Sequence, residues 1–246
     1  MDSSMDTNLM LMGTSEIQIH ITYLLDTSGS MRGEKINCLN KAMAEAIDVA
    51  EKTAAQKEVQ LCMRVIEFNN EARWICGTNE MNGLQHIDWK PLKASGNTAT
   101  ADAIRLVKGL MNRKYLGNQG FKPIVILITD GESDDPADTA AAVSELKASW
   151  SRPRNPVEDR IIRIAVGVSG ANPKELKTFA SIGDIIENDD IRREQVPLVF
   201  EANNISLLGD LMKRLTVSST VTSLNAGTGA QDDQRTTIDM TDDEWI

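Results

Sequence analysis

Apolar positions along the chain switch between two spacings, and the switches predict the elements. In EIQIHITYLLD, Ile17, Ile19, Ile21 and Tyr23 alternate with polar neighbours before the run turns wholly apolar, which predicts a central strand. The next segment spaces Ile36, Leu39, Met43, Ile47 and Ala50 by three and four, one face of a long helix. VQLCMRVIEFN and EARWICG predict two further strands, with the polar NNE between them as a hairpin. An irregular stretch runs to Gly96, and TADAIRLVKGLMNRKYL then predicts a helix with Ile104, Val107 and Leu110 inward. PIVILITD is continuously apolar, the pattern of a strand covered on both faces. DTAAAVSELKASW predicts a helix, SRPRNPVED a loop and RIIRIAVGV a strand. NPKELKTFASI predicts a helix with proline in its first turn, VPLVFEA a strand and NISLLGDLMKRL a last helix.

Repeated strand–helix units predict an α/β fold: a Rossmann-like, doubly wound, mostly parallel central sheet with one antiparallel edge strand and helices on both faces. Ligands of such sheets sit at the carboxyl ends of strands where the strand order reverses. Asp26 ends the first strand, with Ser28 and Ser30 in the loop after it; Asp130 ends the PIVILIT strand; SGNTAT carries Thr98 to the start of a helix. All five side chains offer oxygen, which is the donor set of a hard cation: Mg2+, with Mn2+ and Ca2+ as the other oxygen-seeking candidates. Two carboxylates and three hydroxyls leave coordination open to an anionic oxygen from another protein.

Composition narrows the classes. The 246 residues, 41% hydrophobic, suffice for one sizeable core. A net charge of −10 and a sequence pI near 4.8 argue against a nucleic-acid partner. Cys38, Cys62 and Cys76 form no CxxC pair and are expected as buried thiols of a reducing compartment. MDSSMDTNLMLMG has acids where a secretory leader has a basic segment, and no run approaches the ~18 apolar residues of a membrane span, so a cytoplasmic protein without a membrane span is expected. His20 and His86 are isolated and read as structural, and Met43 and Met111 as core filler. Gly29 and Gly33 serve the turn, since neither a dinucleotide nor a P-loop glycine pattern is present.

DTSGSM matches the D-x-S-x-S motif of von Willebrand factor type A domains, and GNT before a helix and ITDGES fall where that family has its metal-coordinating threonine and second aspartate. The resemblance covers roughly residues 15 to 217, after an extension over 1–14. It implies a metal-ion-dependent adhesion site with Asp26, Ser28, Ser30, Thr98 and Asp130 as ligands. Ser28 and Ser30 would bind directly, and Thr98 and the aspartates directly or through water. Asn97 departs from the glycine usual before the threonine. The late VFEANNISLLGDLMKRLTVSSTVTS is similar to the bacterial, cytoplasmic branch associated with tellurite resistance, stress response and phage defence. That branch implies a protein kinase or a metal-dependent phosphatase as neighbour.

Residues 218–246 read as a flexible acidic tail, rich in Ser, Thr, Gly and Asp, with Ile238, Met240, Trp245 and Ile246 as apolar islands. The tail is either a solubilising segment or a docking motif. Thr236 has Asp239 three residues on, and Thr241 has Glu244, a spacing that a forkhead-associated-domain protein would read if the threonine were phosphorylated. An acid of DMTDDEW, such as Asp242, Asp243 or Glu244 beside Trp245, is also a candidate metal ligand for a neighbouring copy.

Non-adhesive readings of the site remain. Asp26 and its serines could simply cap a helix. A serine hydrolase would need glycines flanking Ser28 or Ser30 at two residues either side, which are not there. A phosphatase with a nucleophilic aspartate at the end of its first strand would want a second acid where Ser28 stands. Non-enzymatic, metal-dependent protein binding is therefore the expectation. A metal-dependent phosphate-processing enzyme and a scaffold acting through its tail are the alternatives.

Overall fold

A computed structural model of the chain describes residues 18–76, 87–110, 122–149, 161–188, 191–202, 207–228 and 236–241. Its main sheet contains β1 (Gln18–Asp26), β2 (Gln60–Phe68), β3 (Ala72–Cys76), β4 (Ile124–Thr129), β5 (Ile162–Val168) and β8 (Val199–Ala202) in the order β3-β2-β1-β4-β5-β8. β3 alone of these runs antiparallel, paired with β2 at the edge. The helices are α1 (Glu34–Lys57), α2 (Thr100–Leu110), α3 (Pro136–Ser149), α4 (Pro173–Phe179) and α5 (Leu208–Thr228).

Two apolar layers sandwich the sheet. Ile19, Ile21, Tyr23 and Leu25 of β1 face α1 and α5, where Leu39, Met43, Met212 and Leu215 are all 0% exposed. Leu24, Ile66, Val125 and Leu127 face α2, α3 and α4. Being covered on both faces is why β4 reads as an unbroken apolar run. It also buries the polar half of β1: His20 and Thr22 lie inside, and Arg64 Nη1 donates to His20 Nδ1 at 3.0 Å. His20 thus has the structural role expected of it, while His86 lies outside the described residues. Of the three free cysteines, Cys62 is buried, but Cys38 and Cys76 are only half-buried, which corrects the expectation for those two.

A second sheet departs from the expected pattern. β6 (Ile182–Asn188) and β7 (Ile191–Pro197) form an antiparallel hairpin, and β9 (Thr237–Asp239) joins β6 in parallel on its other side. The charged sequence IRREQ hides β7 from a hydrophobicity reading. The expected strand VPLVFEA is divided, its first two residues closing β7 and its last four forming β8.

The expectation of a flexible tail from residue 218 is corrected over 218–228 and 236–241, and its other residues lie outside the described ones. α5 continues to Thr228, eleven residues into that segment, and its Ser218, Ser219, Thr220, Thr222 and Ser223 are buried. Apart from that of Ser219, which has no hydrogen-bond partner among the described residues, these hydroxyls are used internally. Thr220 donates to the Thr216 carbonyl at 2.8 Å, Ser223 to the Lys122 carbonyl at 2.9 Å, and Thr222 to the Thr237 carbonyl at 2.5 Å. Short side chains let α5 press against α1, so that a Cβ on Gly209 would meet Glu45 Oε2 at 2.8 Å. Ile238 and Met240, expected as free apolar islands, are 0% and 7% exposed in the chain's own core.

Candidate metal centre

β1 pairs with β2 on one side and β4 on the other, and the order of the sheet reverses between β1 and β4. The carboxyl ends of strands at such a reversal are where sheets of this kind bind their ligands. Asp26 closes β1 and is 0% exposed. Its Oδ1 accepts the Ser28 N–H at 2.8 Å, and its Oδ2 accepts the Thr129 hydroxyl at 2.6 Å.

A hydrogen-bonded chain leads outward from this buried carboxylate. Ser28 and Ser30 hydroxyls lie 2.9 Å apart, and Ser30 donates to Asp130 Oδ1 at 2.7 Å. Ser28 is buried and Ser30 exposed, so the cluster runs from the core to the surface. Asp130 Oδ2 accepts from Lys35 Nζ, on the first turn of α1.

Thr98 comes from a third loop, fixed by backbone bonds. Gly29 N–H donates to the Gly96 carbonyl at 2.8 Å, and Ser95 N–H donates to the Thr27 carbonyl at 2.7 Å. Ala99 N–H reaches the Asn69 carbonyl at 2.8 Å, which stitches this loop to the β2–β3 hairpin as well. Asp134 holds Thr98 from the far side, accepting its N–H at 3.0 Å and donating its own N–H to the Thr98 carbonyl at 3.1 Å. The departure at Asn97 is absorbed one residue earlier. Gly96 carries the positive φ of +79°, and Asn97 N–H donates to Asn70 Oδ1 at 2.9 Å. A Cβ at Gly96 would stand 2.5 Å from that same Asn70 oxygen, so glycine is required there on two counts.

The donor chemistry fits a hard dication. Burial pushes the Asp26 carboxyl above its usual range; the bonds from Thr129 and Ser28 oppose that, and the negative Asp130 adds to it. A cation among these oxygens would supply a counter-charge to Asp26, since Lys35 pairs with Asp130. Asp26, Ser28, Ser30, Thr98 and Asp130 are the residues that would hold it. Among the described residues no group of three His, Cys, Asp or Glu side chains could hold a metal. This cluster, with two acids and three hydroxyls, falls outside that description by composition.

Thr129 and Asp134, which position Asp26 and Thr98, were not singled out from the sequence, nor was Lys35. The hydroxyl directly before the strand-ending aspartate, in ITD, was the available signal for Thr129. Of the candidate tail residues, Thr236, Asp239 and Thr241 do not join the cluster. Thr236 and Asp239 lie in and beside β9, where the Thr236 carbonyl accepts from Asp184 N–H at 2.8 Å. Thr241 donates its hydroxyl to Asp239 Oδ1 at 2.8 Å. Asp242, Asp243, Glu244 and Trp245 lie outside the described residues.

A doubly wound sheet with oxygen-bearing side chains gathered at its switch point defines the architecture as an α/β module. The model of the von Willebrand factor type A domain matches residues 20–236, and the chain belongs to that family. Solved structures share the fold. A von Willebrand factor type A protein from Catenulispora acidiphila superposes with a TM-score of 0.58 at 20% identity, over 83% of this chain and 43% of that one. Proximal thread matrix protein 1 from the mussel byssus, in a structure with a zinc-occupied metal-site motif, gives 0.55 at 19% identity over 83% and 48%. The pilus adhesin SpaC from Lactobacillus rhamnosus GG gives 0.61 at 11% identity over 83% and 31%. The chain thus spans less than half the length of these proteins. Among the described residues no helix is long and apolar enough to cross a membrane.

Proposed function

We propose that this chain is a non-enzymatic, metal-dependent protein-binding module. In this reading Mg2+ is held by Asp26, Ser28, Ser30, Thr98 and Asp130, and an acidic side chain of a partner protein completes its coordination. The observation that carries it is the continuous set of oxygens from buried Asp26 through Ser28 and Ser30 to buried Asp130, open to solvent at its one exposed member, Ser30. A partner carboxylate would approach from that open end.

Binding is favoured over turnover by the state of Asp26. A phosphate-transferring nucleophile at the end of the first strand must present a carboxylate oxygen to the incoming phosphorus, whereas a metal ligand can act through a bound water. Asp26 is fully buried, and both of its oxygens already accept hydrogen bonds. Action through a free tail is disfavoured because Ile238 and Met240 are engaged in the chain's own core.

The setting is a cytoplasmic bacterial stress-response, tellurite-resistance or phage-defence system with a kinase, a metal-dependent phosphatase or a forkhead-associated-domain protein nearby. Its support is the sequence resemblance of the segment now seen as β8 and α5, together with three free thiols. The test is an affinity purification of the tagged chain from its host in Mg2+, followed by EDTA elution. Asp130→Ala and a chain ending at Thr241 run in parallel. Partners that leave with EDTA, are lost from Asp130→Ala and persist with the shortened chain are the expected result. Partners indifferent to EDTA and lost on shortening would overturn the metal-centred reading.

A further inference from the structure

Lys35 is an unexpected member of the site. It is the second residue of α1, where the helix dipole disfavours a positive charge. Its ammonium nevertheless reaches across to Asp130 Oδ2 at the end of β4. The contact joins a carboxylate whose side chain is 0% exposed to a lysine side chain that is 28% exposed. Both Asp130 oxygens are therefore engaged, Oδ1 by Ser30 and Oδ2 by Lys35.

We propose that Lys35 is a tethered cation that competes with the divalent ion for Asp130 and thereby sets the metal affinity of the site. The inference rests on the metal-binding reading and concerns its regulation. Two carboxylates and one dication make a neutral cluster, and an ammonium on the same carboxylate leaves it with an excess positive charge. Two cations against one buried carboxylate repel strongly where water is scarce. Lys35 has a way out: its flexible four-carbon stem and partial exposure allow the ammonium to swing into solvent. The loss of its charge-assisted bond is subtracted from the free energy of metal binding.

The experiment is a Mn2+ titration of the full chain, reading free Mn2+ by electron paramagnetic resonance. Wild type, Lys35→Met, Lys35→Arg and Asp130→Ala are compared. Methionine keeps an apolar stem of similar reach and removes the charge; arginine keeps the charge and controls for the loss of the native side chain. Lys35→Met is expected to bind Mn2+ roughly tenfold tighter or more, the size of one charge-assisted hydrogen bond. Lys35→Arg should stay near wild type, and Asp130→Ala should lose the site. Equal or weaker binding by Lys35→Met, with wild type binding normally, overturns the role of Lys35 and leaves the metal reading standing. Absence of Mn2+ binding by every variant overturns both.

Discussion

Thr129 is the last residue of β4, and its hydroxyl donates to Asp26 Oδ2 while accepting the Gly131 N–H at 3.2 Å. One side chain therefore steadies the buried carboxylate and the turn that presents Asp130. Thr129→Val keeps the shape and removes both bonds, leaving a buried carboxylate oxygen short of a donor. The expected cost is about 1–3 kcal/mol in urea unfolding, with weaker metal binding alongside. A loss below about 0.5 kcal/mol would mean that Asp26 recovers a partner elsewhere. At this scale the sequence exposed the five oxygen-bearing residues through the D-x-S-x-S spacing and the strand-ending aspartate. It concealed their supports, because a threonine inside an apolar strand and a lysine in a first helical turn are unremarkable until the fold brings them to a carboxylate.

At the scale of elements, α5 and β9 depart most from the sequence-based expectation. A Ser/Thr-rich segment looks too polar to bury, yet each hydroxyl that finds a nearby carbonyl loses most of its desolvation cost. Thr216 illustrates the device: it donates to the Met212 carbonyl at 2.7 Å and meets the Tyr23 hydroxyl at 2.5 Å. β9 is legible only in hindsight, since three residues with one isoleucine carry no periodicity. Its place is fixed by Met240 N–H on the Ile186 carbonyl at 2.6 Å and by Arg214 Nη1 on the Met240 carbonyl at 3.0 Å. Ile238→Ala should cost about 2–5 kcal/mol, as a large-to-small change in a packed core does. An unchanged denaturation midpoint would show that β9 adds nothing to the folded state.

For the whole molecule, the strand–helix rhythm revealed the parallel sheet and both covering layers, because period and continuous apolar runs report burial directly. The hairpin of β6 and β7 stayed hidden behind its charges. Burial also makes the fold sensitive to acid. His20 is 4% exposed, and burial, reinforced by the Arg64 charge, lowers its pKa to about 3 from 6.5. The unfolded chain thus takes up a proton on His20 as pH drops below about 6.5, whereas the folded chain resists until about 3. Its contribution is complete above the upper value and is lost progressively between the two. At pH 5 the loss is about 2 kcal/mol relative to pH 7.5. His20→Gln should flatten that part of the pH–stability curve; a curve of unchanged steepness would place the acid sensitivity elsewhere.

The layer beneath α1 has a consequence for synthesis. Leu208, Met212, Leu215, Ile238 and Met240 share one core with Ile19 and Ile21 of the first strand. A ribosome working from the amino end has already delivered β1 to β5 and their crossovers when these five residues are still to be added. The nascent sheet therefore carries an apolar face only partly roofed by α1 until α5 and β9 emerge and complete the roof. A message that stalls before α5 would release a product with a site sequence intact and a sticky underside, a substrate for chaperones or proteases.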